Sequence, residues 1–235
     1  MDGKWSAATC FLSGNNKQLY KITLQGGIEY YCTAEHKWPI LKNGQYRKTE
    51  TTNILLGDIL PESTESMNFG DKGTYDEGFF IGWLYGDGWV TQRKDNDKRQ
   101  VGIIISEADK ENGIIEKIEP TLRRFSKVRF LKRQKNTLSW YELNTQNESL
   151  NNFLKDFSVS KKDNGLPNIV WKDASRNFIF GMLDGLISSD GCVNKDGSID
   201  IITKHPKLAT DLLELFGFLG VRVNLYNRTT CPTKI

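Results

Sequence analysis

The sequence is poor in several features whose presence would have settled its class. Its four cysteines, Cys10, Cys32, Cys192 and Cys231, stand far apart with no Cys-x-x-Cys pair. That spacing argues against a zinc site and leaves free thiols in a reducing compartment as the expectation. No run of about 18 apolar residues occurs, so no helical membrane span is expected. The opening "MDGKWSAATCFLSG" lacks the basic head and apolar stretch of a secretory signal, which points to an intracellular location, cytoplasm or nucleoid or nucleus. Net charge is only +3, so any argument for a polyanionic partner has to come from where the charge sits.

What is present suits a soluble globular protein: 235 residues, 38% hydrophobic and 26% charged, enough to bury one large core or two smaller ones. The charge is uneven. From Arg123 to Lys135, "RRFSKVRFLKRQK", there are seven basic residues and no acidic one. On a strand of period two, Lys127, Arg129 and Leu131 would face one way and Val128, Phe130 and Lys132 the other, leaving at least one cationic face. Such a face matches a duplex backbone. The candidate phosphate contacts are Arg93, Lys94, Lys127, Arg129, Lys132 and Arg133.

Three parts succeed one another along the chain. Residues 1–61 read as all-β: "KQLYKITL", a turn at Gly26 and Gly27, and "IEYYCT" form a hairpin, and "ILLGDILP" closes the section. Residues 62–76 are polar and turn-rich, a candidate linker. Residues 77–235 then run helix, strand, strand, helix, strand, strand, helix, and begin again. "GFFIGWLYGDGWV" is an apolar helix ending on Asp87 between two glycines, and "MLDGLISSDGCV" repeats the arrangement at Asp190 about a hundred residues later. The first repeat spans 77–158. It contains the strands "WVTQ" and "QVGIIIS", a helix "EADKENGIIEKIEPTLRRF", the strands "KVRFLKRQ" and "SWYELNTQ", and the helix "NESLNNFLKDF". The second spans about 177–235: "GCV", "SIDIITK", a helix opening at Pro206, where proline suits a first turn, and a strand "VRVNLYNRT". It stops short of the full unit.

These two stretches resemble the LAGLIDADG homing endonucleases. "FIGWLYGDG" (Phe80–Gly88) and "LDGLISSDG" (Leu183–Gly191) fit the nine-residue motif in register. Gly82 and Gly185 let two helices approach closely; Tyr85 and Ser188 depart from the motif at its sixth position, which is usually acidic. The resemblance implies an α+β fold of two αββαββα repeats, the second truncated, forming a saddle of antiparallel sheets. It implies that Asp87 and Asp190 are the metal-binding and catalytic aspartates, with the carbonyls of Gly86 and Ser189 as further ligands. Hard oxygen donors suit Mg²⁺, and a cation between close carboxylates would serve phosphodiester hydrolysis of double-stranded DNA. Lys204 is added as a basic residue near the attacking water. A monomer with an internal pseudo-twofold repeat is expected.

The first part carries a second resemblance. "CTAEHKW" (Cys32–Trp38), preceded by a hairpin and followed by the Gly57-Asp58 turn, looks like the Thr-x-x-His block of the intein splicing domain, the Hint fold. Residues 1–61 would then be a partial Hint domain, with Thr33 and His36 polarising the upstream splice junction and host exteins as partners in the parent precursor. No upstream nucleophile and no terminal His-Asn pair are found, so the chain is expected to be an internal intein fragment that does not itself splice. The competing expectations are a nucleic-acid-binding module without cleavage, and a splicing element with a decayed endonuclease.

Overall fold

The computed structural model describes residue 9 and residues 14–61, 67–92 and 99–226. Arg93, Lys94, Cys10 and Cys231 therefore lie outside the described residues. The chain divides into two compact units, Asn68–Asp211 and a unit of Met1–Met67 with Leu212–Ile235.

In the latter unit the expected hairpin forms: β1 (Leu19–Thr23) runs antiparallel to β2 (Glu29–Thr33), with Gly27 at φ 82° in the turn. A second hairpin, absent from the sequence expectations, comes next: β3 (Lys37–Lys42) with β4 (Gln45–Glu50). It reverses at Asn43 and Gly44, both left-handed at φ 52° and 73°, and Asn-Gly between apolar strands is the strongest short signal for such a turn. Buried Thr51 ties the hairpins together: its Oγ1 accepts from the Trp38 indole (3.0 Å) and lies 3.3 Å from the Cys32 sulfur. The Gly57-Asp58 turn also forms, with Asp58 Oδ2 accepting from the Leu55 N–H at 3.0 Å. Of the strand expected at 221–229, residues 221–226 pair with no strand and residues 227–229 lie outside the described residues; the Leu225 N–H donates one bond to the Gly26 carbonyl (3.2 Å). Alternation defines two faces but not a partner edge, and a turn offers one carbonyl where a strand would offer a row.

The Asn68–Asp211 unit begins inside the stretch expected to be a linker. Gly70 N–H donates to Ala174 O (2.9 Å), Lys72 N–H to Asp173 O (3.0 Å) and Ser175 N–H to Lys72 O (2.8 Å). The polar, turn-rich composition that suggested a linker here serves backbone pairing. Helix α1 (Tyr75–Asp87) comes next, its N-terminus closed by a capping box between Thr74 and Glu77. Then come β5 (Gly88–Gln92), β6 (Arg99–Ser106), α2 (Glu107–Glu111), α3 (Ile114–Leu122), β7 (Leu131–Lys135), β8 (Leu138–Thr145) and α4 (Glu148–Asp156). The four strands make one antiparallel sheet in the order β5-β6-β8-β7.

Two expectations for this repeat are corrected. The single helix over 107–125 breaks at Gly113, which takes the left-handed φ of 78°, a conformation that glycine adopts without steric cost. The strand placed from Lys127 starts only at Leu131, because Lys127 is itself left-handed (φ 63°). Lys127 and Arg129 thus sit in the connection and not on a strand face. The second repeat supplies α5 (Arg176–Asp190), the three-residue strands β9 (Gly191–Val193) and β10 (Ile199–Ile201), and α6 (Pro206–Phe218), which opens on the expected proline. The fold is α+β with antiparallel sheets, as expected.

Val101, Ile103 and Ile105 alternate inward from β6 and are fully buried, whereas Ile104 faces solvent. Phe153 of α4 fills the space behind the sheet against Phe80, Phe125 and Phe157, with ring centroids 6.3, 5.4 and 4.8 Å away.

The centre of this unit is the contact of α1 with α5. Four glycines form it as two matched pairs: a Cβ on Gly78 would collide with the Phe178 carbonyl, one on Gly181 with that of Tyr75, one on Gly82 with that of Met182, and one on Gly185 with that of Phe79. In each case the nearest backbone atom would lie under 3.0 Å away. The helices therefore touch backbone to backbone, and α1 is buried on nearly all sides, which explains why it is apolar all round. Tyr75 on α1 also donates its hydroxyl hydrogen to Asp184 of α5 at 2.5 Å.

Gly→Ala inside a helix normally stabilises by up to about 1 kcal/mol. Gly82→Ala and Gly185→Ala should instead each destabilise by about 1–3 kcal/mol, the cost of overpacking. Gly217→Ala in α6, where an added Cβ would meet nothing within 4 Å, should show the normal gain. Chemical denaturation of the three variants checks the contrast.

Candidate catalytic site

Asp87 is the last residue of α1 and Asp190 the last of α5. The glycine contact brings those two helix ends together, and both carboxylates remain open to solvent on one side. Partial burial, reinforced by the charge of Asp190 and then that of Asp109, pushes the Asp87 carboxyl up to about 6, against the opposing pull of Lys162. Burial also raises Asp190, while Lys162 and His205 hold it down. The ends thus carry a carboxylate pair that costs free energy when both groups ionise.

Lys162, which sequence reasoning missed, answers part of that cost. It opens a short 3-10 turn (Lys162–Asn164) between the repeats, and its ammonium donates to the Gly86 carbonyl, one residue before Asp87. Burial lowers its pKa while Asp190 and Asp87 hold it up. Nothing in "SVSKKDNG" marks Lys162 apart from Lys161; only the tertiary fold brings it 76 positions back to Gly86. Lys204 lies three residues past β10, exposed, and acts electrostatically on Lys162. Both lysines line a cleft of about 310 Å³ with Leu84, Tyr85, Trp89 and His205. Burial pushes the Tyr85 phenol up to about 12.

Two of the four expected metal donors suit a hard divalent cation. Asp87 and Asp190 are adjacent oxygen donors whose shared repulsion a cation would relieve. The Gly86 carbonyl accepts from Lys162, and its second lone pair leaves it open as the third expected donor. The Ser189 hydroxyl turns back to donate to the Gly185 and Leu186 carbonyls (2.9 and 3.0 Å), leaving its main-chain carbonyl as the group in question. Among the described residues no cluster of three or more His, Cys, Asp or Glu side chains could hold a metal ion.

The basic run is divided by the sheet. Register and period two put Arg133 on the face of Trp140, Glu142, Asn144 and Gln100, and Lys132 on the opposite face with Tyr141. Lys132 pairs with Glu107 of α2 at 2.6 Å, and Arg133 with Glu142 at 3.2 Å. Lys132 therefore lies on the sheet face opposite Arg133, with its side chain still 56% exposed. The Arg133 face carries amides that no sequence pattern singled out: Gln100 donates to Asn144 (2.6 Å), and Asn144 to Glu142 (3.2 Å).

In the other unit, Thr33 ends β2, and the His36 N–H donates to its carbonyl (3.2 Å). The His36 carbonyl accepts from the Thr51 N–H (3.0 Å), and its ring stands edge-on to Trp38 with centroids 5.0 Å apart.

Comparison with known proteins touches these same segments. Residues 177–234 match the LAGLIDADG-like domain. The chain is 20% identical over 231 residues to the ribonucleoside-diphosphate reductase NrdEB subunit alpha of Bacillus subtilis (strain 168), a match covering 92% of this chain and 21% of that protein. It is 21% identical over 273 residues to the DNA-directed RNA polymerase subunit Rpo1C of Methanocaldococcus jannaschii, covering 94% of this chain and 28% of that one. The chain thus spans between a fifth and a third of the curated relatives it matches. Among solved structures it is similar to a form of the homing endonuclease I-DmoI in complex with its target DNA and manganese, at 17% identity and a TM-score of 0.47, over 63% of this chain and 78% of that one.

Proposed function

We propose that this chain is a site-specific DNA endonuclease of the LAGLIDADG type that hydrolyses phosphodiesters of double-stranded DNA with Mg²⁺. The observation that carries this is the carboxylate pair at the joined ends of α1 and α5, where Asp190 helps raise Asp87 to about 6. Asp87, Asp190 and the carbonyls of Gly86 and Ser189 would hold the cation, which when bound would supply an activated water and neutralise charge on the phosphate. Lys162 and Lys204 place positive charge beside the two aspartates, where negative charge develops on a phosphoryl oxygen. On the sheet face, Arg133 would meet phosphate while Gln100 and Asn144 offer the paired donor and acceptor groups that read base edges. Lys127 and Arg129, in the connection before β7, would add phosphate contacts, as would Arg93 and Lys94.

The proposed setting is an intein. A match across nearly all of this chain but a minor share of two proteins with unrelated names supports a mobile insert carried in different hosts. In the parent precursor, Thr33 and His36 would assist cleavage at the upstream junction of the exteins. The endonuclease would act inside the cell as a monomer with a pseudo-twofold repeat.

One observation favours a second reading, binding without cutting: among the described residues no third His, Cys, Asp or Glu side chain joins Asp87 and Asp190 to make a cluster that could hold a metal ion. A cleavage assay separates the two. Incubated in Mg²⁺ with a library of randomised duplexes whose cut ends are sequenced, the wild-type chain should cleave at a defined site. Asp87→Asn and Asp190→Asn should each lower the rate by at least about 10³-fold, the scale expected when an activating metal is lost, with DNA affinity changed little. Binding without any cleavage would establish the second reading.

Affinity should also fall with salt, with a log-log slope of about −0.9 per neutralised phosphate. Arg133→Glu should make that slope shallower by about 1, and Lys132→Glu should leave it unchanged because Lys132 faces α2. A slope that responds to Lys132 and not to Arg133 would put the DNA on the other face of the sheet.

A further inference from the structure

We propose that Asp163 and His205 form a clasp that positions the Lys162 ammonium at the paired aspartates, acting through Lys162 without touching substrate; this rests on the endonuclease reading of the site. A lysine on a flexible four-carbon stem gives up much rotamer freedom when held in one place. The turn that carries it is three residues long, too short to keep its shape alone. Something outside the turn must therefore fix it.

The structure supplies two ties from the second repeat. Asp163, next to Lys162, meets the His205 ring, Oδ1 to Nδ1 at 2.5 Å. Just past the turn, the Leu166 N–H donates to Asp211 Oδ2 (2.9 Å), and Asp211 is buried with Lys207 on its other oxygen. Gly165, left-handed at φ 82°, packs so tightly on Asp211 that a Cβ could not be added. The Asp211 tie anchors the backbone; only the Asp163 tie lies beside the lysine.

His205 is well built for an anchor. Its side chain is only 17% exposed, its N–H donates to Thr203 Oγ1 (3.2 Å), and the following Pro206 fixes the chain as α6 begins. Asp163 is 75% exposed, and a pair so open at one side contributes little to stability. Its geometry instead links β10 and α6 to the turn that holds Lys162 on Gly86. The clasp thus joins the two repeats: Gly86 belongs to the first, His205 to the second, and Lys162 lies between.

Competitive acetylation of the intact chain, read by mass spectrometry, tests this without knowledge of the DNA target. Lys161 is exposed and serves as the internal standard. Compared per unprotonated amine, so that the lowered pKa of Lys162 does not mask its shielding, Lys162 should react about tenfold more slowly than Lys161 in the wild type, and His205→Ala and Asp163→Ala should each remove most of that protection, a change on the scale of one hydrogen bond. Asp163→Asn, which keeps an oxygen acceptor for the ring, should stay near wild type. Unchanged protection in both alanine variants, with the protein still folded by circular dichroism, would overturn the proposal.

Where a cleaved site is found, His205→Ala should slow single-turnover cutting more in the wild-type background than in Lys162→Met, where only its direct effect on Asp190 remains. Full additivity in that double variant would also overturn the clasp. A wild type that cuts no DNA would defeat the endonuclease reading while leaving the labelling result to decide this one.

Discussion

The organisation of the Asn68–Asp211 unit depends on how closely two helix backbones can approach. Gly78, Gly82, Gly181 and Gly185 let the α1 and α5 backbones meet at four points with no side chain between them, and the arrangement of the site is a consequence of that approach. Closely packed helices that end at the same level bring their last residues together, so Asp87 and Asp190 become one electrostatic system. A single methyl group on the seam would separate the backbones and with them the carboxylates. The strands that leave each helix, β5 and β9, start from the residue next to each aspartate, so the same contact also fixes where the sheets begin.

Bringing carboxylates together creates a demand for positive charge, and the fold meets it in graded ways. Lys162 sits on the Gly86 carbonyl and lowers Asp87. His205 lowers Asp190 and engages Asp163. Lys204 stands further out, where it acts on Lys162. What remains after these contributions is an Asp87 carboxyl still near 6, so the protein's own cationic groups offset the burial and repulsion of the pair only in part. The two readings of function, cutting and binding alone, differ in whether a cation joins Lys162 at the aspartates.

How much of this the sequence reveals depends on the range of the interaction concerned. The paired motif, the helix ends at Asp87 and Asp190 and the alternating strand β6 are local patterns of period 3.6 or 2, and they are legible because each residue's role is set by near neighbours. Two of the seam glycines, Gly82 and Gly185, are visible within the motif; Gly78 and Gly181 lie one turn earlier and make sense only once the helices are paired. Lys162 is illegible because its function comes from a contact with a residue 76 positions away, in a segment whose composition reads as plain loop. Lys132 and Arg133 show the opposite failure. The basic run is plain in the sequence, and its alternation already puts Leu131 and Lys132 on opposite faces, but which of those faces meets helix α2 emerges only with the fold. The Asn43-Gly44 hairpin, by contrast, has a clear local signal that the splicing-block resemblance around it obscured.

The central claim is that Asp87 and Asp190 form one coupled site. Following the Asp87 carboxyl carbon by NMR as pH is raised tests it most directly, first in the wild type and then in Asp190→Asn. Neutralising a neighbouring like charge favours ionisation, so the midpoint should lie near 6 in the wild type and move down in the variant, with burial and the Asp109 charge still holding it above the ordinary aspartate range. Adding Mg²⁺ should move the wild-type midpoint down as well, because the cation binds the ionised form. A wild-type midpoint at the ordinary value of 3.8, indifferent to both the substitution and the metal, would show that the aspartates titrate independently and contradict the account.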